Sequence, residues 1–113
     1  MKLTGYATRL QIFVGEDDIW HHRPVYHEIV RRAREAGLAG ATVVRGCEGY
    51  GGHSVIHTTR LLDLTEDLPA VIVIVDTDDK IRAFLPELDD LIGDGTVLLD
   101  EVEVIRYQAK TPS

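Results

Sequence analysis

Residues 70–75, Ala-Val-Ile-Val-Ile-Val, form an apolar run with no polar interruption. A run this short and this rich in β-branched side chains predicts a strand. A second such segment, Thr8 to Val14, stops at Gly15 and predicts another. From Pro24 to Ala36 the apolar positions Val25, Ile29, Val30 and Ala33 recur at helical spacing. Pro24 suits the first helical position, where its missing N–H costs nothing, and Gly37 supplies the stop. Ala41 to Val44 predicts a further strand, and Leu61 to Leu64 an added hairpin arm. Thr77 is placed to cap a second helix with Ile81, Phe84, Leu85, Leu88, Leu91 and Ile92 on one face. Pro86 lies inside that helix and predicts a kink or a split there. Gly93-Asp94-Gly95 then turns the chain into a last strand from Thr96 to Tyr107.

The order strand, helix, strand, strand, helix, strand predicts one α/β (α+β) domain over residues 1–113. Its expected form is a ferredoxin-like βαββαβ sandwich, a four-stranded antiparallel sheet with two helices on one face. Successive side chains of a strand point to opposite faces, yet at 70–75 both faces are apolar. Two helices cover only one of them. The other face needs a second cover, and another copy of the chain is the simplest.

Composition narrows the setting. A hydrophobic fraction of 44% with 27% charged residues is ordinary for a globular domain of 113 residues. The net charge of −7 argues against a nucleic-acid binder, which needs clustered positive charge. A single cysteine, Cys47, excludes an intramolecular disulfide and suits the reducing cytoplasm. No run approaches the ~18 apolar residues of a membrane span, and no signal-peptide core opens the chain.

Candidate chemistry concentrates in "RGCEGYGGHSVIHTTR", residues 45–60. The glycines predict a flexible loop over about 46–69, but the segment lacks the lysine and hydroxyl ending of a nucleotide P-loop. Arg45 and Arg60 are of the type that grips phosphate, or that makes a surface salt bridge. His53 and His57, with His21, His22 and His27 near Glu16, Asp17 and Asp18, raise a metal reading, although their spacing matches no defined zinc signature. Cys47 beside His53 or His57 lacks a third, orienting group, so no catalytic residue is assigned. Asp78-Asp79 and Asp89-Asp90 read as helix-start or solvated-face charges.

The segments "GATVVRGCEGYG", "VIHTTRLLDLTEDLPAVIVIVDT", "FLPELDDLI" and "GEDDIW" with "RPVYHEIV" occur in an order that resembles the domain of unknown function 190 family. That family is similar in turn to the PII signal-transduction proteins. The resemblance implies a PII-like homotrimer that binds an adenine nucleotide in clefts between subunits. It also implies signalling through the long loop to a partner such as a membrane transporter, with no cofactor required and no enzymatic turnover such as nucleotide hydrolysis. Gly40-Ala41-Thr42-Val43 stands where PII proteins carry "GMTV", and Gly93-Asp94-Gly95 where they place a phosphate-contacting turn. Arg106 stands near their basic nucleotide contacts. The ligand-binding set implied is Thr42, Arg45, Gly49, Gly51, Gly93, Asp94, Gly95, Thr96 and Arg106. Thr96 replaces the lysine that follows this turn in PII proteins, which favours a less charged ligand such as a monophosphate. The alternative is a divalent-metal trimer similar to CutA, built on histidines and carboxylates.

Overall fold

The computed structural model describes residues 2–49 and 68–108 of the chain. Strands β1 (Lys2–Gly15), β4 (Thr42–Arg45), β5 (Pro69–Asp76) and β6 (Thr96–Gln108) form one sheet in the order β4-β5-β1-β6. Every neighbouring pair is antiparallel. Helices α1 (Val25–Glu35) and α2 (Asp78–Phe84) supply the second layer of this α+β fold. A two-stranded hairpin, β2 (Ile19–Trp20) with β3 (Arg23–Pro24), precedes α1. The expected arm at 61–64 lies outside the described residues.

Period-two register builds the core. Leu10 opposes Ile74, Ile12 opposes Ile72 and Val14 opposes Ala70, and all six are buried. They meet Ile29 and Ala33 of α1, Ile81 and Phe84 of α2, and Leu88 and Leu91 beyond it. Each fully buried Leu, Ile or Phe here is worth about 1.5–3 kcal/mol of transfer free energy. The alternate residues Arg9, Gln11 and Phe13 oppose Val75, Val73 and Val71 on the other face, where they remain half-buried. Val44 and Leu98 on that face are 52% and 45% exposed. Arg9 and Asp100 cross it as a bidentate ion pair at 3.0 and 2.7 Å, which holds the Asp100 carboxyl below its ordinary range.

Local signals behave as their chemistry requires, with instructive exceptions. Thr77 caps α2 by accepting from the Lys80 N–H. Gly37 ends α1 with φ of +79°. Pro86 does divide the second helix: α2 stops at Phe84 and a 3₁₀ turn covers Leu85–Leu88. Pro24, however, is not the first residue of α1. It is extended, pairs with Ile19 and serves as the cap position before Val25. The hairpin ahead of it turns through His21 and His22 at φ of 47° and 69°. A two-residue turn needs positive φ at both central positions, and non-glycine residues there cost of order 1 kcal/mol each. Strand β1 also begins six residues before Thr8, because its first half pairs with the end of β6 across an irregularity at Leu3/Gly5.

The strongest polar element is centred on Glu28, whose side chain is fully buried at the edge of the core. Arg31 donates to it from Nε and Nη2 at 2.9 and 2.6 Å, and Arg32 from Nε at 2.9 Å. Arg32 continues to Asp90 at 2.8 and 3.1 Å and to the Glu87 carbonyl at 2.7 Å. Asp90, expected as a solvated-face charge, is therefore tied to α1. The Arg32 guanidinium also lies 4.9 Å from the Trp20 ring, which stacks on His21 at 3.9 Å. Hydrogen bonds from Arg31, opposed by burial and reinforced by Arg32, hold the Glu28 carboxyl at about 2 against an ordinary 4.5. A carboxyl depressed on folding stabilises the fold above its unfolded value and loses that contribution as pH falls.

The turn before β6 is set by close packing. A Cβ at Gly95 would lie 2.6 Å from the Phe13 carbonyl oxygen and 3.1 Å from Ile92 Cγ2.

Two outcomes are expected. Thermal stability should decline as pH falls from about 4.5 toward 2, and Glu28→Gln should cost about 3 kcal/mol at pH 7 and flatten that decline. Denaturant melts of both proteins across pH check this. Gly95→Ala should destabilise by about 1–3 kcal/mol, because the obstructing atom is strand backbone; urea unfolding at pH 7 measures it.

Candidate ligand site

The end of β1, the start of β5, the end of β4 and the start of β6 all lie at one end of the sheet. Antiparallel pairing dictates this, since Gly15 opposes Pro69, Arg45 opposes Ala70 and Thr96 opposes Phe13. The segments flanking the glycine-rich loop are stitched there. The Gly46 N–H donates to the Pro69 carbonyl at 2.7 Å, and the Glu16 N–H to the Leu68 carbonyl at 2.7 Å. A Cβ at Gly46 would fall 2.5 Å from Pro69 Cγ, and one at Gly49 3.1 Å from it. These two glycines are thus explained by packing on the proline ring. Arg45 forms an ion pair with Glu16, so the salt-bridge reading of this arginine holds in the protomer.

At the opposite edge of the same end stands Gly93-Asp94-Gly95. Three strand spacings, about 14 Å, separate β6 from β4. The turn is held from behind, since Arg32 fastens Glu87 and Asp90, just upstream of it, to α1. Gly95 is required by its approach to Phe13, and Thr96 starts β6 beside it. Gly93 differs. It is exposed, no described atom lies within 4 Å of its would-be Cβ, and its φ is not positive. Nothing described in the protomer demands glycine there.

The structure brings together only part of the set implied by sequence. Arg45, Gly49, Gly93, Asp94, Gly95 and Thr96 share this end of the sheet. Thr42 lies at the start of β4, opposite Val73 on the face away from the helices. Arg106 is ten residues along β6 from Thr96, about 33 Å at strand rise. A single protomer therefore does not place Arg106 beside the Gly93 turn, because one extended strand separates them. Gly51, His53, His57 and Arg60 lie outside the described residues. Two residues at or behind the site are not in the set implied by sequence: Glu16, whose sequence reading is a metal carboxylate, and Arg32. The signal for Arg32 was the i, i+4 spacing from Glu28.

The metal reading gains nothing from the described part of the chain. His21 and His22 occupy the turn of the small hairpin, and His27 is exposed on α1. Among the described residues no group of three or more His, Cys, Asp or Glu is placed to hold an ion. Cys47 is exposed. Among the described residues no helix is long and apolar enough to cross a membrane.

Comparison with known proteins follows the same lines. Solved structures of CPII from Thiomonas intermedia K12, a nitrogen regulatory PII-like protein, share the fold. One, bound to ADP, AMP and acetate, has a TM-score of 0.65 at 15% identity, covering 90% of this chain and 91% of that one. Another, bound to ADP, AMP and bicarbonate, has a TM-score of 0.62 at 13% identity, covering 94% and 97%. Among curated proteins, a UPF0166 protein of Aquifex aeolicus is 41% identical over 96 residues, 85% of this chain and 90% of its own length. One from Methanocaldococcus jannaschii is 30% identical over 106 residues, 93% and 95%. The family model described as DUF190, Uncharacterized ACR, matches residues 7–104. With a PII-like fold and a family match that takes in both helices and part or all of every strand, the chain belongs to the DUF190 family.

Proposed function

We propose that this protein is a cytoplasmic PII-like sensor that binds an adenine nucleotide in clefts between subunits and regulates a partner through the loop after β4. The observation that carries the reading is the exposed turn at Gly93. Its glycine answers to no described neighbour in the protomer, so the freedom of approach it provides is available to something from outside. A turn of this kind presents backbone N–H groups to an anion without a Cβ in the way. The PII-like fold supports the ligand class, since CPII of the same fold is bound to ADP and AMP.

The subunit arrangement follows from two further features. The sheet face away from the helices carries Val71, Val73, Val75, Phe13, Val44 and Leu98, an apolar surface suited to copies of the chain packed as a homotrimer. The separation of Arg106 from the Gly93 turn is then resolved by contributions from neighbouring protomers, with the far end of one β6 beside the turn of the next. Thr42, Arg45, Gly49 and Gly51 would complete the site from the loop base, and Thr96 in place of a lysine favours mono- and diphosphates over triphosphate. The role is binding and signalling, with the nucleotide returned intact and no cofactor required. The partner fits the class of a membrane transporter or another regulated protein, as the PII resemblance implies.

Calorimetric titration with AMP, ADP and ATP tests the ligand, and light scattering the assembly. ADP or AMP should bind at one site per chain in a particle three times the chain mass, and at a hundred times its dissociation constant should add about 2.7 kcal/mol to stability. Arg106→Ala should weaken that binding about tenfold while leaving the oligomer and its melt intact. A monomer, or an absence of any nucleotide heat, removes this reading.

A further inference from the structure

The proposed site contains a carboxylate that no phosphate ligand would want there. Glu16 follows directly on β1, is largely buried at 17% side-chain exposure, and is fixed through its backbone N–H to the Leu68 carbonyl. Arg45, 66% exposed at the end of β4, is paired to it. The two residues that flank Arg45's reach, Gly46 and Pro69, are themselves locked together by the Gly46 N–H to Pro69 carbonyl bond. Glu16 is thus the anchored partner of the pair, and Arg45 the one with solvent beside it and freedom to turn.

We infer that Glu16 is an internal competitor of the ligand's phosphate for Arg45. This deepens, and rests on, the nucleotide-binding reading of the site. The guanidinium is neutralised by Glu16, so an arriving phosphate gains Arg45 only by displacing the carboxylate. The Glu16 main chain stays in place when that happens, because its N–H is bonded to the Leu68 carbonyl. The exchange trades one bidentate-capable anion for another at a guanidinium whose fork suits both. Arg45 is open to solvent, so water and salt screen the pair on its side and leave it displaceable by a competing anion. Glu16 therefore sets a threshold concentration below which the arginine stays with the protein. It is a residue that tunes affinity, and it acts through Arg45.

The test is a double-mutant cycle read by calorimetric titration with ADP on the wild type, Glu16→Gln, Arg45→Gln and the double variant. Glu16→Gln should tighten ADP binding about fivefold, and Arg45→Gln should weaken it. In the Arg45→Gln background the Glu16 substitution should change nothing, because the competition has lost its object. Unchanged ADP affinity in Glu16→Gln, beside normal wild-type binding, overturns the inference and leaves the nucleotide reading standing. A fivefold gain that persists without Arg45 overturns it as well, since that gain would come from net charge alone. No ADP binding to any of the four proteins removes both. Far-UV circular dichroism and melts of all four separate these outcomes from misfolding, and a Glu16→Asp variant that restores wild-type affinity supports competition by the carboxylate.

Discussion

The alternation of burial along β1 and β5 is the constraint on which the rest of this molecule depends. Leu10, Ile12 and Val14 face Ile74, Ile72 and Ala70 in register, and a slip of one residue would turn the whole set to the wrong face. That register decides which ends of which strands coincide. Gly15 reaches Pro69, Arg45 reaches Ala70 and Thr96 reaches Phe13, so four strand ends gather at one end of the sheet. The described residues flanking the glycine-rich loop and the Gly93 turn occupy the same end because that register brings them there.

Polar chemistry works within that frame in two ways. The Glu28, Arg31, Arg32 and Asp90 network is a construction device: it fastens α1 to the segment leading into the Gly93 turn. Its value comes from satisfying a fully buried carboxylate with several charge-assisted bonds, where one missing donor would leave an expensive buried charge. The Arg45–Glu16 pair is of the opposite type. Arg45 is exposed while Glu16 is largely buried, so solvent screens the pair from one side only. The buried network holds the scaffold, and the Arg45–Glu16 pair ties the end of β4 to the residue after β1.

Family membership and fold agree without being the same finding. The DUF190 match covers residues 7–104, whereas the CPII structures share 13–15% identity with this chain and speak to its fold. What joins the two is the sheet geometry. It leaves an exposed turn at Gly93 at one end of the sheet and an apolar face, with Val44 and Leu98 partly exposed, on the side away from the helices.

The sequence by itself determined the four sheet strands and two helices that are described, their two-layer arrangement, the cap at Thr77 and the break at Pro86. Each rests on local chemistry or on a hydrophobic period that needs no distant partner. It also named the Gly93-Asp94-Gly95 turn and the loop base as candidates, from the residue types those tasks require. Only the tertiary structure decided which candidates are explained by packing. Gly46 and Gly49 lie against Pro69, and Gly95 against the Phe13 carbonyl, while Gly93 is left without a described neighbour. The same holds for charge. Arg45 and Glu16 are 29 positions apart, and no periodicity in the chain predicts that they meet. The small hairpin through His21 and His22 was equally hidden, because both residues take positive φ against their preference. Long-range pairing, close approach of backbone and tolerated strain all depend on where the sheet brings the chain back, and local sequence carries no record of that.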